Sequence, residues 1–282
     1  MLFSDKLRAG VGVLGILATG TVHADFLVVE NFENGTVGSS VSTLGWSGTT
    51  NGLPYATVAE YPVAGENQVL QLTGTTQNNG VYLNLSASQL IASGATGTLF
   101  FRVLFSSDEN YNVNIGFGNT DDPYNSVQGN FRFRAADAET WTVSHGTNPA
   151  VNATSPATRD VDVWYSVWVV VNPEGGANKW EAYVQAEGGS QTQVVTGASN
   201  ALFTFKDGNG VDAATDRLVI YFGTTSGVAL GGASPVFLDD IYIDPAGKNL
   251  ASPIPEASTW LWMVCGGLAA GWIARRREGV RR

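Results

Sequence analysis

From Phe26 onward, apolar residues recur at about every second position in short runs, separated by clusters of Gly, Asn, Thr, Ser and Asp. That spacing marks half-buried strands joined by turns. It predicts strands over 26–31, 56–60, 69–72, 81–85, 98–106, 112–117, 130–134, 140–144, 164–172, 179–185, 191–195, 218–222 and 236–243, and a short helical turn over 87–92. No window holds helical spacing long enough for an amphipathic helix. A dozen or more strands without alternating helices predict an all-β chain folded as a two-sheet antiparallel β-sandwich, one domain over 25–250. Leu99–Phe105 and Trp164–Val171 are the most apolar runs and are expected at the centre, with Trp164 and Trp168 on one core-facing side. The longest loops are expected over 145–160 and 200–217.

The two ends break this pattern. Lys6 and Arg8 precede an apolar stretch from Ala9 to Thr19 and a small-residue site at Val22-His23-Ala24, the arrangement of a signal peptide over 1–24 with the mature chain starting at Asp25. Near the other end, Ala257 to Ala274 carries no charge and Arg275, Arg276 and Arg277 follow, then Arg281 and Arg282. At about 1.5 Å per residue, a helix over about 258–274 crosses most of a bilayer core of about 30 Å, and the arginines hold its end in the cytoplasm. An ordinary C-terminal membrane anchor is the plain reading. The order Pro255-Glu256, apolar helix and arginine cluster over 251–282 also resembles the PEP-CTERM sorting signal of exopolysaccharide-producing Gram-negative bacteria. Ala257 departs from that signal, which usually repeats proline there. The resemblance implies export, transient anchoring in the inner membrane, processing by an exosortase-type enzyme that reads Pro255, Glu256 and the Arg275 to Arg277 cluster, and a destination at the cell surface or in the extracellular matrix.

Charge narrows the partners. The chain has 25 acidic against 15 basic residues, a formal net charge of −10. Seven of those basic residues sit in the terminal segments, so the body is more acidic still. Nucleic acid and anionic lipid need clustered Lys and Arg and are excluded as general partners. The single cysteine, Cys265, lies in the tail, which leaves the body without a disulfide and dependent on core burial. A body of this length buries roughly 70% of its unfolded surface, enough for that purpose.

The opening Phe26-Leu-Val-Val-Glu-Asn-Phe-Glu with Gly45-Trp46, the inner Trp164-Tyr-Ser-Val-Trp-Val-Val-Val and the closing Val236-Phe-Leu-Asp-Asp-Ile-Tyr-Ile-Asp resemble bacterial jelly rolls of the carbohydrate-binding and concanavalin A-like type. In those domains the first and last strands lie side by side. On that arrangement Glu30 and Glu33 approach Asp239 and Asp240, and a structural Ca2+ would relieve the repulsion among the four carboxylates. The alternative is that they point to solvent. Asp207-Gly-Asn-Gly-Val-Asp212 is a second oxygen-rich turn, without the closing glutamate of a calcium loop.

A sugar site needs exposed aromatic faces beside hydrogen-bonding groups. Trp46, Tyr55, Tyr111, Tyr124, Trp141 and Trp180 fall in or beside expected loops, and Tyr124 with Asp122 and Asn125, together with Trp141, is the leading candidate. The acidic body points to a neutral polysaccharide. No nucleophile elbow, zinc helix or phosphate loop occurs, and the body keeps only His145, so the sequence reads as a non-enzyme. The expectation is therefore an exported, surface- or matrix-directed sandwich that binds carbohydrate of an exopolysaccharide or biofilm matrix. Its alternatives are a structural or adhesive protein without a specific ligand, and a polysaccharide-degrading enzyme.

Overall fold

The computed structural model describes residues 26–48, 52–61, 67–73, 79–107, 112–118, 128–134, 141–145, 148–156, 158–173, 179–197, 201–205, 216–223 and 235–254. In chain order the strands are β1 (Leu27–Glu30), β2 (Ser47–Gly48), β3 (Ala56–Glu60), β4 (Gln68–Leu72), β5 (Asn79–Asn84), β6 (Gly97–Phe105), β7 (Asn112–Gly118), β8 (Gln128–Arg134) and β9 (Thr142–His145). They continue as β10 (Asn148–Ser155), β11 (Trp164–Val171), β12 (Lys179–Ala186), β13 (Thr192–Gln193), β14 (Val195–Thr196), β15 (Phe203–Thr204), β16 (Arg217–Gly223) and β17 (Val236–Asp244).

Every ladder is antiparallel. The large sheet runs β13-β12-β11-β6-β17-β4-β3, with β1 also on β17 and β15 on β12. A five-stranded sheet runs β2-β5-β16-β7-β8, and a small one runs β14-β10-β9. Leu72, Phe101, Val103 and Val169 of the large sheet share one buried cluster with Val81, Ile115, Leu218 and Ile220 of the five-stranded sheet and with Val143 and Ala153 of the small one. The sheets thus pack over a common core, as the period-two pattern requires.

Central placement of β6 and β11 follows from their composition. Both are apolar on alternate and intervening positions, so both faces must be covered. One face meets the common core. The other is crossed by the segment 245–254, which leaves the end of β17 and folds back over it. Thr98 Oγ1 donates to the Gly247 carbonyl at 2.8 Å, and the Trp168 indole N–H donates to the Ala251 carbonyl at 2.9 Å. Asn249 is buried, receiving the Ala251 N–H on its Oδ1 while its own Nδ2 donates to Asp244 Oδ2 at 2.9 Å. Lys248 Nζ pairs with the buried Glu181 at 2.7 Å and donates to the Tyr183 hydroxyl at 2.8 Å. Trp168 is therefore buried beneath this strap, not between the sheets. Trp164, on the same side of β11, is only half-buried in a satellite cluster with Tyr61 and Phe237.

Three expectations about elements change. The stretch 87–92 holds an ordinary turn closed by Gln89 N–H to the Ser86 carbonyl. The long loop expected over 145–160 contains β10, whose Asn, Thr and Pro149 hide a strand that pairs with both β9 and β14. The loop expected over 200–217 contains the two-residue β15. The terminal helices predicted over the first 24 residues and over 258–274 lie outside the described residues, as do Pro255, Glu256 and Arg275 to Arg277. Among the described residues no helix is long and apolar enough to cross a membrane.

Candidate functional site

Two places bring together side chains that are far apart in sequence. The first is the seam where β1 and β4 share the same edge of β17. β4 pairs with Val236, Phe237 and Leu238, and β1 pairs with Ile241, Tyr242 and Ile243. Between them β17 bulges, so that Leu238 and Ile241, three residues apart, both reach the core. The inserted residue is Asp240, held at φ 52°, a left-handed conformation that Asp tolerates better than most side chains. Across the seam Phe32 adopts φ 59°.

The bulge turns Asp239 and Asp240 toward the gap. Asp239 accepts the Asn67 amide at 2.8 Å on Oδ2 and the Asp240 N–H at 2.8 Å on Oδ1. Burial, and then the charge of Asp240, push its pKa up to about 7, against the pull of these hydrogen bonds and of Arg102. Asp240 is also raised by burial, although Arg102 stands 3.5 Å away and stacks on the Trp164 ring. Glu33 adds to the repulsion on Asp240 and accepts the Gln68 N–H at 3.2 Å. Glu30 turns to its own backbone, taking the Asn31 and Phe32 N–H groups at 3.0 and 2.9 Å.

The expected calcium quartet is thus brought to one seam but not to one point. Among the described residues no group of three or more His, Cys, Asp or Glu side chains could hold a metal ion. Glu30 directs one oxygen, Oε1, to its own backbone, and both Asp239 oxygens accept hydrogen bonds, so the seam is a hydrogen-bonded closure of the sheet.

The second place was not anticipated from sequence. Val81, Val113, Ile115, Phe117, Ile220 and Phe222 of the five-stranded sheet point into the core, so the alternate residues face away from it. Register sets Ser47, Tyr82, Val219 and Gly116 in one row across that outward face. The next row is Gly80, Tyr221, Asn114 and Arg132. Arg217 and Arg134 occupy the flanking rows, beside Gly118 and Asn112. Val219, Tyr221 and Asn114 in these rows are buried, at 0%, 4% and 4% exposed, whereas Tyr82 and Arg217 are half-buried and Asn84 is exposed at the β5 side, which is the accessible part of this face. The Arg217 guanidinium lies 4.9 Å from the Tyr82 ring centre, and its Nε donates to Asp216 Oδ1 at 3.1 Å.

Of the ligand residues expected from sequence, Tyr124, Asp122 and Asn125 lie outside the described residues. Trp141 is corrected: it is fully buried, packed edge-on against Phe105 and Tyr165, and offers no face to a ligand. Trp46 and Trp180 are core residues too. Loop position misleads because Trp46 and Trp141 flank short strands and Trp180 stands second in β12, places where the inward side takes a large apolar filler. The sequence signal for the outward face was available in the alternation of Tyr, Asn, Gly and Arg along β5, β7, β8 and β16, but only register joins the four strands.

No family model matches the chain, and no curated protein matches it. Among solved structures, the chain is similar to the PL-14 alginate lyase from Aplysia kurodai, with 14% identity, 77% of this chain and 98% of that one covered, and a TM-score of 0.46. It is similar to the carbohydrate esterase vb_24B_21 from Shiga toxin-encoding bacteriophage phi24B, with 13% identity, 78% and 98% coverage and a TM-score of 0.45. It is also similar to peanut lectin, with 12% identity, 70% and 96% coverage and a TM-score of 0.40. These neighbours are lectin-like and polysaccharide-lyase or esterase sandwiches, a carbohydrate-related group. The expectation that the chain is not an enzyme is corrected by them, since alginate lyases and a carbohydrate esterase stand among them.

Proposed function

We propose that this is an exported protein that engages polysaccharide at the cell surface or in the surrounding matrix, along the outward face of its five-stranded sheet. The observation that supports the reading is the β5 side of that face, where the half-buried Tyr82 ring stands beside Arg217 and the exposed Asn84. Sugars present apolar ring faces edged with hydroxyls, which aromatic rings and amides recognise together. Five strands at about 4.8 Å spacing span roughly 19 Å, a width suited to several linked sugar rings. Cleavage of the bound chain is the second reading. It is favoured by the partly exposed Tyr82, because a tyrosine can act as acid or base on a substrate held within hydrogen-bond reach.

Affinity electrophoresis of the purified protein through gels loaded with the producing organism's own polysaccharides tests the reading. Retardation is expected, and Tyr82→Ala should weaken it by about 1 kcal/mol, the scale of one aromatic contact. Release of new chain ends that stops with Tyr82→Phe while binding persists would establish the enzymatic reading. No retardation by any of the polysaccharides would leave a structural or adhesive protein without a specific ligand.

A further inference from the structure

The outward face of the large sheet carries a polar row that the fold does not require. β6 and β11 are the most apolar strands of the chain, and around the middle of that face they present Phe100 and Leu104, and Trp164 and Trp168. Between these stand Arg102 and Ser166, directly opposite each other. Register extends their row to Gln185 of β12 on one side and Asp239 of β17 on the other, a span of about 14 Å. The row on one flank is Tyr183, Trp168, Phe100 and Tyr242, and on the other it is Trp164, Leu104 and Phe237. Ser166 is thus the small side chain between two tryptophans along β11, which makes the row a notch. The strap bonds to Thr98, Trp168 and Tyr183, and among the described residues none of its hydrogen bonds reaches this row. Arg102 and Asp240 keep 21% and 19% of their side chains exposed, and Ser166, Gln185, Tyr183, Tyr242 and Trp164 are partly exposed.

The polar atoms here are not engaged by the fold. Among the described residues, the Ser166 hydroxyl, the Tyr242 hydroxyl and the Trp164 indole N–H take part in no hydrogen bond. Gln185 donates its Nε2 to the Gly189 carbonyl at 2.8 Å and leaves its Oε1 open. Arg102 makes one polar contact, Nη1 to Asp240 Oδ2 at 3.5 Å, well beyond the roughly 2.8 Å of a closed charge-assisted bond. Its guanidinium carbon lies 4.7 Å from the Trp164 ring centre, so stacking holds the fork in place while its remaining donors stay open. Asp240 is fixed in turn by the bulge and by its own N–H, which donates to Asp239.

We propose that this row is a second polysaccharide site, for a neutral chain with vicinal hydroxyls, and that the protein is a bivalent cross-linker of the matrix. This rests on the reading of the chain as a polysaccharide binder and adds a site on the face opposite Tyr82. A guanidinium beside a carboxylate sets donors next to an acceptor, so neighbouring hydroxyls of one sugar ring can accept from Arg102 and donate to Asp240. The Ser166 hydroxyl and Gln185 Oε1 continue the same polar line across β11 and β12. Partly exposed Tyr183, Tyr242 and Trp164 border it with aromatic surface, which suits the apolar faces of sugar rings. Charge favours a neutral ligand over an acidic one, because Asp240 cancels Arg102 and Glu33 stands near Asp240. The two outer faces of a sandwich point in opposite directions. A molecule with both sites filled therefore joins two separate chain segments.

The test uses the full chain and two probes: a galactomannan, whose mannose rings carry vicinal hydroxyls, and the same polymer after periodate cleavage of those diols and borohydride reduction. Calorimetry with oligosaccharides cut from the galactomannan counts the sites. Two per protein are expected, falling to one in Ser166→Leu and in Tyr82→Ala. The long polymer should turn turbid with the wild type and stay clear with either variant, since a single site cannot cross-link. In the Tyr82→Ala background the cleaved polymer should bind severalfold more weakly, the scale of one or two lost hydrogen bonds. Arg102→Lys keeps the charge beside Asp240 but loses the planar fork, so in that background it should also weaken binding severalfold, and it serves as the second variant if Ser166→Leu does not fold. A single site that is lost with Tyr82→Ala and indifferent to Ser166→Leu and Arg102→Lys overturns the second site and leaves the first reading standing. A single site that Ser166→Leu removes and Tyr82→Ala leaves intact overturns the cross-linking and the reading of the five-stranded face. Binding to neither probe overturns both.

Discussion

Asp239 is the residue at which local geometry costs the fold most visibly. It is 2% exposed, next to the half-buried carboxylate of Asp240, and its pKa rises from 3.8 to about 7, chiefly because burial penalises the charge. A carboxyl with a raised folded-state pKa binds its proton more tightly folded than unfolded, so its contribution to stability is complete below about pH 4 and is lost as pH climbs to about 7. Asp239→Asn cannot ionise and should remove that loss. We expect the variant's melting temperature to fall less steeply than wild type between pH 5 and 8, with a gain on the order of 1–3 kcal/mol at pH 8. Thermal unfolding across that range checks it, and identical slopes in the two proteins would refute it. Asn67 can rotate its amide to present oxygen to the new Nδ2, so the hydrogen bond need not be lost.

At the scale of elements, the strap over 245–254 closes the large sheet. Without it, Trp168, Thr98 and Val170 would face water from the middle of the most apolar region of the sheet. Asn249 is its fastener, joined to Thr98, Asp244 and Ala251. Asn249→Ala should destabilise the protein by about 1–3 kcal/mol, the cost of leaving buried polar partners unmade. Hydrogen exchange at the Ala251 amide should accelerate well before that of β6 or β11. Uniform acceleration across all three segments would show instead that the strap and the sheet open as one unit.

Most strands were legible from period two alone, because a strand with one face on a core must alternate. Ala56–Glu60 needs no adjustment, and Gly97–Phe105 and Trp164–Val171 shift by a single residue. β10 was not legible, since its apolar positions are only Ala and Val and Pro149 stands at its start. Nor could pattern show the bulge in β17. Two consecutive aspartates read as a polar interruption until β1 and β4 are seen to meet there. The outward face of the five-stranded sheet was the least legible region, because its rows are assembled from β2, β5, β7, β8 and β16, which span most of the chain. Trp141 shows the converse error: a large aromatic beside a loop can be either platform or core, and only packing decides.

For the whole molecule, the body and the chain ends pose separate problems. The body closes on one shared core. The ends carry the signals that we propose for export and sorting, a cleaved leader over 1–24 and a tail read by an exosortase-type enzyme. Replacing Arg275, Arg276 and Arg277 with glutamine should block release from the inner membrane, with unprocessed protein accumulating there. Mass spectrometry of membrane and extracellular fractions measures it. Normally processed protein outside the cell would dismiss the sorting role.

The strap also decides how the molecule responds to tension. Any pull delivered through the chain beyond Ile254 reaches residues 245–254 before it reaches β17. The strap is held by scattered contacts at Gly247, Lys248, Asn249, Leu250 and Ala251, which break singly and in succession when peeled. β17 is hydrogen-bonded along both edges, to β6 on one side and to β4 and β1 on the other, so it yields only if many bonds fail together. The strap is thus a mechanical fuse, giving way at low force and releasing about ten residues of slack, roughly 33 Å when extended, while the sandwich stays folded.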